Sequence, residues 1–127
     1  MMNRYSPHIM TKVRSDPIRK FAEGQHCTLR IASFYPGYSC SSNETTVLVH
    51  YDDVGGKGTS TKVTDIGACF GCERCHAILS GVDGKTLDYI KDNYPLALGH
   101  RIYTALVETH AMLVDEGLLV VPGGKVI

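Results

Sequence analysis

The chain lacks any run of apolar residues near the ~20 needed to cross a bilayer, and its start, Met1-Met-Asn-Arg-Tyr-Ser-Pro7, has no apolar stretch of the signal-peptide kind. The expectation is a soluble, cytoplasmic protein without a membrane partner. An excess of charge is missing too, with 13 basic against 13 acidic residues. Bulk charge therefore argues against a coat or packaging protein for nucleic acid, and any such contact must come from a local basic patch. Tryptophan is absent and phenylalanine occurs three times in 127 residues. The core is modest for a domain of that size, and a structural metal would help it. No internal repeat or low-complexity tract appears, which removes solenoid architectures.

What is present in unusual form is cysteine. There are five, an odd number, and three of them fall in Cys69-Phe-Gly-Cys72-Glu-Arg-Cys75-His76. Tight Cys-x2-Cys intervals favour metal over disulfides in a reducing compartment. Tetrahedral zinc needs four ligands, and the preferred set is Cys27, Cys40, Cys72 and Cys75, in which a strand and a loop meet the start of a helix. Cys69 is either a small core residue or a substitute for Cys72. The triplet also resembles part of a ferredoxin-type iron–sulfur run, but that run continues with a fourth cysteine and proline, whereas His76 follows here.

The pattern along the chain is α+β. Residues 1–14 read as a flexible N-terminal segment and 15–127 as a single domain. Ser15-Asp16-Pro17 caps a short helix over Pro17 to Glu23 that Gly24 ends. Cys27 to Ile31 has strand composition, Pro36 to Asn43 is turn-rich, and Thr45 to His50 is the clearest strand, β-branched and ending in histidine. Asp52 to Lys62 is a glycine-rich loop suited to an anionic ligand. Helical patterns cover Cys72 to Leu79, Thr86 to Asn93 and about 97–116, the last with Ile102, Ala105, Leu106, His110, Leu113 and Val114 on one stripe. Leu118 to Val121 reads as a closing strand.

Two histidines stand out by position. His50 ends the best strand, a place suited to a general base with a pKa near working pH. His76 follows Cys75, and a helix turns about 100° per residue, so Cys75 can face a metal while His76 faces a neighbouring cleft. The remaining histidines read as packed or solvated, although His100 with Arg101 offers a small phosphate-binding face.

The order Val-Leu-Val-His50, loop, Cys72-x2-Cys75-His76 resembles the zinc-bearing members of the HNH, or His-Me finger, nucleases. The likeness is closer to the YbcO-like prophage nucleases, through Ile18-Arg-Lys-Phe-Ala, Cys27-Thr-Leu-Arg-Ile31, Asn43-Glu-Thr-Thr-Val-Leu-Val-His50, Gly58-Thr-Ser-Thr-Lys62-Val-Thr-Asp65 and Cys72-Glu-Arg-Cys75-His76. It spans about residues 17 to 82. The resemblance implies a small zinc-stabilised ββα-metal domain, core about 27–82, with an added C-terminal helix. It implies a phage-encoded DNA endonuclease in a bacterial host cytoplasm, with zinc as structural ion and magnesium or manganese as catalytic ion. His50 would be the general base and His76 a ligand of the catalytic ion. Val49 stands where many such enzymes carry a metal-binding aspartate; Asp65 is the first candidate to replace it, or to orient His50, with Asp52 and Asp53 behind it. Lys62 is a candidate phosphate contact. A zinc-finger module that binds nucleic acid or protein without catalysis is the alternative reading of the same residues.

Overall fold

The computed structural model describes residues 11–51 and 63–127, to which all structural statements below refer. Helix α1, Asp16–Ala22, begins as its cap dictates: the Ser15 hydroxyl accepts from the Ile18 N–H at 3.2 Å, and Pro17 occupies the first turn. Ahead of it, Val13 is tied to the middle of the chain, its N–H donating to Thr64 Oγ1 and its carbonyl accepting from the Asp65 N–H.

The stretch Cys27 to Ile31 forms no strand. Arg30 adopts a φ of 47°, a left-handed conformation that costs a residue with a Cβ about 1–2 kcal/mol. That bend turns the Arg30 N–H onto Cys27 Sγ at 3.4 Å. The segment still runs beside the sheet, with the Thr28 and Leu29 N–H groups both donating to the Phe70 carbonyl, and then enters a 3-10 turn at Ala32–Phe34.

Strand β1, Val47–His50, pairs antiparallel with β2, Ala68–Gly71, so that Val47 faces Gly71 and His50 faces Ala68. β1 starts later than its composition suggests. Asn43–Thr45 is a 3-10 turn in which the Ser42 hydroxyl accepts from the Glu44 N–H and the Thr45 hydroxyl donates to the Ser42 carbonyl. Such local side-chain bonds compete with strand pairing.

Alternation along the two strands gives the ribbon two faces. Leu48, Ala68 and Phe70 join Ile18, Ala22 and Leu113 on one side. Val49 and Cys69 join Leu29, Ile31, Ile78, Ile90 and Ile102 on the other. Each large side chain so buried contributes about 1.5–3 kcal/mol. Gly71 is required for this packing, because a Cβ there would stand 2.7 Å from Val49 Cγ2 and 2.9 Å from Leu29 Cδ1. The outer edge of β2 is closed by hydroxyls: the Phe70 N–H donates to Thr28 Oγ1 at 3.1 Å and Thr109 Oγ1 at 3.4 Å.

Helix α2, Glu73–Leu79, has Cys72 as N-cap and stops at Ser80 and Gly81, the latter at φ 85°. Helix α3, Gly84–Asn93, starts ahead of the expected Thr86 because Asp83 caps it, accepting from the Thr86 N–H and hydroxyl. Helix α4, Pro95–Asp115, buries Leu98, Ile102, Ala105, Thr109 and Leu113. The sequence stripe placed His110 and Val114 inside. The helix is instead rotated to bring Thr109 onto Phe70, and His110 Nε2 donates to the Ile66 carbonyl at 2.8 Å.

No strand forms over Leu118 to Val121. Gly117 takes a φ of 75°, and the Leu118 and Leu119 N–H groups fold back onto the Leu113 carbonyl, capping α4 and packing both leucines near Phe70. No helix among the described residues is long and apolar enough to cross a membrane.

Candidate metal centre and active site

Cys27, Cys40, Cys72 and Cys75 bring their sulfurs within 4.8 Å of one another. The four come from the bend before Arg30, the following loop, the cap of α2 and its first turn. Zinc–sulfur bonds of about 2.3 Å in a tetrahedron place sulfurs about 3.8 Å apart, and Cys40 Sγ lies 3.9 Å from Cys75 Sγ. Backbone donors already point at the cluster: the Arg30 N–H reaches Cys27 Sγ at 3.4 Å, and the Ser41 and Cys75 N–H groups reach Cys72 Sγ at 3.3 and 3.5 Å. Such donors offset thiolate charge and hold sulfur orientation around an ion. The donor set and spacing fit structural zinc.

The thiols are also electrostatically linked to one another. Cys27 is pulled down to about 5 by the S–H bond it receives from Cys75, against the effect of burial. Cys75 is raised by that same bond and by burial, and Cys40 is pushed up to about 12 by burial and by the charge on Cys27. A charge on one sulfur disfavours a charge on its neighbours. A dication reverses that balance and releases the remaining protons. Cys69 is not a member: it sits buried in β2 opposite Val49, and burial holds its thiol up at about 12.

A second array lies on the α1 side of the ribbon. His50 Nε2 is 2.8 Å from Asp65 Oδ1. Asp65, whose side chain is 0% exposed, also accepts from Arg19 Nη2 on Oδ1 and from Arg19 Nε and the Ser15 N–H on Oδ2, at 2.9, 2.9 and 2.7 Å. All four lone-pair directions of the carboxylate are thereby used. Asp65 has none left for a metal, and its Oδ1 contact fixes the His50 ring. Burial alone would raise its pKa, but Arg19, then His50 and the Ser15 N–H, hold it well below the ordinary carboxylate range. An ionised carboxylate only accepts, so Nε2 of a neutral His50 carries the hydrogen and Nδ1 keeps its lone pair. The His50 side chain is 18% exposed.

His76 is exposed on α2, which packs through Cys75 and Ile78 against the opposite face of the ribbon. Among the described residues it does not join the hydrogen-bonded group of His50 and Asp65. Lys62, Asp52 and Asp53 lie outside the described residues. Arg19 was legible in the sequence only as part of a basic helix; its partner is 46 positions away, and no local spacing marks such a pair.

Residues 16–97, more than half of the chain, match the family described as putative nuclease YbcO. The chain belongs to that family. The matched YbcO region contains the four cysteines, the Arg19–Asp65–His50 array and His76. A nuclease family implies nucleic acid as substrate and phosphodiester hydrolysis as chemistry. Comparisons with curated proteins and with solved structures found no match.

Proposed function

We propose that this YbcO-family chain is a metal-dependent DNA endonuclease of the His-Me finger type, phage or prophage encoded, with His50 as general base. The observation that carries the reading is the Arg19–Asp65–His50 array. The antiparallel pair β1–β2 followed directly by α2 supports it, being the element order such a site requires.

His50 Nδ1 takes a proton from water, and the hydroxide adds to phosphorus as the bond to the 3′ oxygen breaks; the departing 3′ oxygen takes a proton from solvent water, leaving 5′-phosphate and 3′-hydroxyl ends. Asp65 fixes the ring and stabilises the imidazolium that forms. Arg19 keeps that carboxylate ionised, so the proton stays on His50 until solvent removes it. His76 stays a proposed ligand of a magnesium or manganese ion that would also take water and phosphate oxygens, although α2 packs on the opposite face of the ribbon from the His50 array. Such an ion, when bound, offsets charge on the phosphate and the leaving oxygen. Lys62 is kept as a phosphate contact, and zinc on the four cysteines as the support of α2.

The test is cleavage of plasmid DNA with magnesium or manganese by wild type and His50→Ala. The variant should lose about 10²–10⁴-fold in rate while zinc content and far-UV circular dichroism stay unchanged. Equal rates for the two proteins refute the assignment. A wild type that binds DNA but cuts none with any divalent ion leaves the zinc-stabilised binding module as the function.

A further inference from the structure

Away from His50, the bend at the zinc cluster and α4 share a second charged group. Arg30 Nη2 contacts both oxygens of Glu108 at 2.9 and 3.0 Å, and Arg101 Nη2 contacts Glu108 Oε1 at 2.8 Å. One carboxylate cannot neutralise two guanidiniums, so the group carries a net positive charge. The two arginines offer ten N–H donors, and beyond Glu108 the single further acceptor among the described residues is the Cys27 carbonyl, 3.3 Å from Arg30 Nη1. Arg101 Nε, which is buried, has no hydrogen-bond partner among the described residues. Both side chains are partly open, at 39% and 21%.

A clamp between the zinc bend and α4 needs only one of these arginines. The second is surplus to it. Arg30 is also held more firmly than a surface arginine usually is: its left-handed backbone and its N–H bond to Cys27 Sγ aim the side chain across to a helix 78 positions away. Planar guanidiniums in fixed orientation suit the oxygens of a phosphodiester, which they meet in pairs. In a chain without net charge, a local cluster of this kind is what an electrostatic footprint requires.

We propose that Arg30 and Arg101, poised on Glu108, form a contact for the phosphodiester backbone of DNA, separate from the His50 array. This rests on the nuclease reading for its substrate class. The contact is independent of base sequence, and Glu108 holds both arginines in place and competes with the phosphate for them.

Binding of a fluorescent DNA duplex to the zinc-loaded full chain, read by anisotropy across a salt series without added magnesium or manganese, tests it. Arg30→Ala should weaken binding at low salt and lower the slope of log affinity against log salt by about 0.9, the release of one phosphate's counterion. Glu108→Gln should act in the opposite sense and tighten binding at low salt. Unchanged slope and affinity in both variants, or a shift of both in one direction, overturn the proposal. Should Arg30→Ala lose zinc in a chromogenic assay, Glu108→Gln decides alone, since it leaves the bend around Cys27 intact. Altered binding in a protein that never cuts DNA sinks the nuclease reading and keeps this one; active cleavage with unaltered binding does the reverse.

Discussion

Replacing Asp65 by Asn removes one charge and almost no volume at a side chain that makes four hydrogen bonds. In the native protein that carboxylate accepts two bonds from Arg19, one from the Ser15 N–H and one from His50, with no exposure to water. Breaking a buried ion pair by neutralising one partner costs about 3–5 kcal/mol. Arg19 keeps 34% of its side chain open and recovers some hydration, so the lower end, about 3 kcal/mol, is expected. At about 4 °C per kcal/mol for a chain of this size, the melting temperature should fall by about 12 °C. The effect has a pH signature. Because the native pKa of Asp65 is depressed, its stabilisation is present above the unfolded carboxylate value of about 3.9 and is lost as pH falls below that toward the native value. The gap between wild type and variant in thermal melts, both zinc-loaded, should hold from pH 8 to 5 and narrow below about 4. Zinc loss in acid affects both proteins alike. A gap under about 1 kcal/mol at pH 7, or one that stays constant into acid, refutes the buried ion pair. Asn also offers His50 either a carbonyl or an amide N–H, so the ring loses its single tautomer, and cleavage should drop with stability or before it.

Zinc content separates the cysteines: Cys75→Ser should bind less than one zinc per chain and unfold with it, whereas Cys69→Ala should retain full zinc and lose only packing, as read by a chromogenic chelator and thermal melts. Acid should release the ion, because the thiolates that hold it regain protons. Gly71→Ala should destabilise by about 1–3 kcal/mol through overpacking, since the new methyl meets Val49 and Leu29 under 3.0 Å; a neutral result would mean the two side chains can move aside.

Helices were readable because their signals are local. Ser15 and Pro17 mark the start of α1, and Gly117 marks the end of α4. Cysteine spacing at Cys72 and Cys75 was equally plain, and of the three cysteines upstream Cys27 and Cys40 were preferred over Cys69 to complete four candidate ligands. Strand composition misled at Cys27 to Ile31 and Leu118 to Val121, where the left-handed turn at Arg30, its N–H on Cys27 Sγ, and a helix cap break strand pairing. The stripe on α4 was misjudged at His110 because Thr109, polar by type, is buried against the Phe70 N–H.

By itself the sequence determined the α+β order, the candidate zinc ligands and the position of His50 at a strand end, all matters of neighbouring residues and short spacing. Only the tertiary structure decided what Asp65 does. Arg19, His50 and the Ser15 N–H reach it from 46, 15 and 50 positions away, and once they occupy every lone pair the carboxylate fixes the His50 ring and has no place for a metal. The same holds for Arg30, Arg101 and Glu108, whose shared charge exists because one bend at a cysteine carries a side chain to a distant helix. Side chains so far apart in the chain leave no local pattern, and their chemistry is set by the packing that brings them into contact.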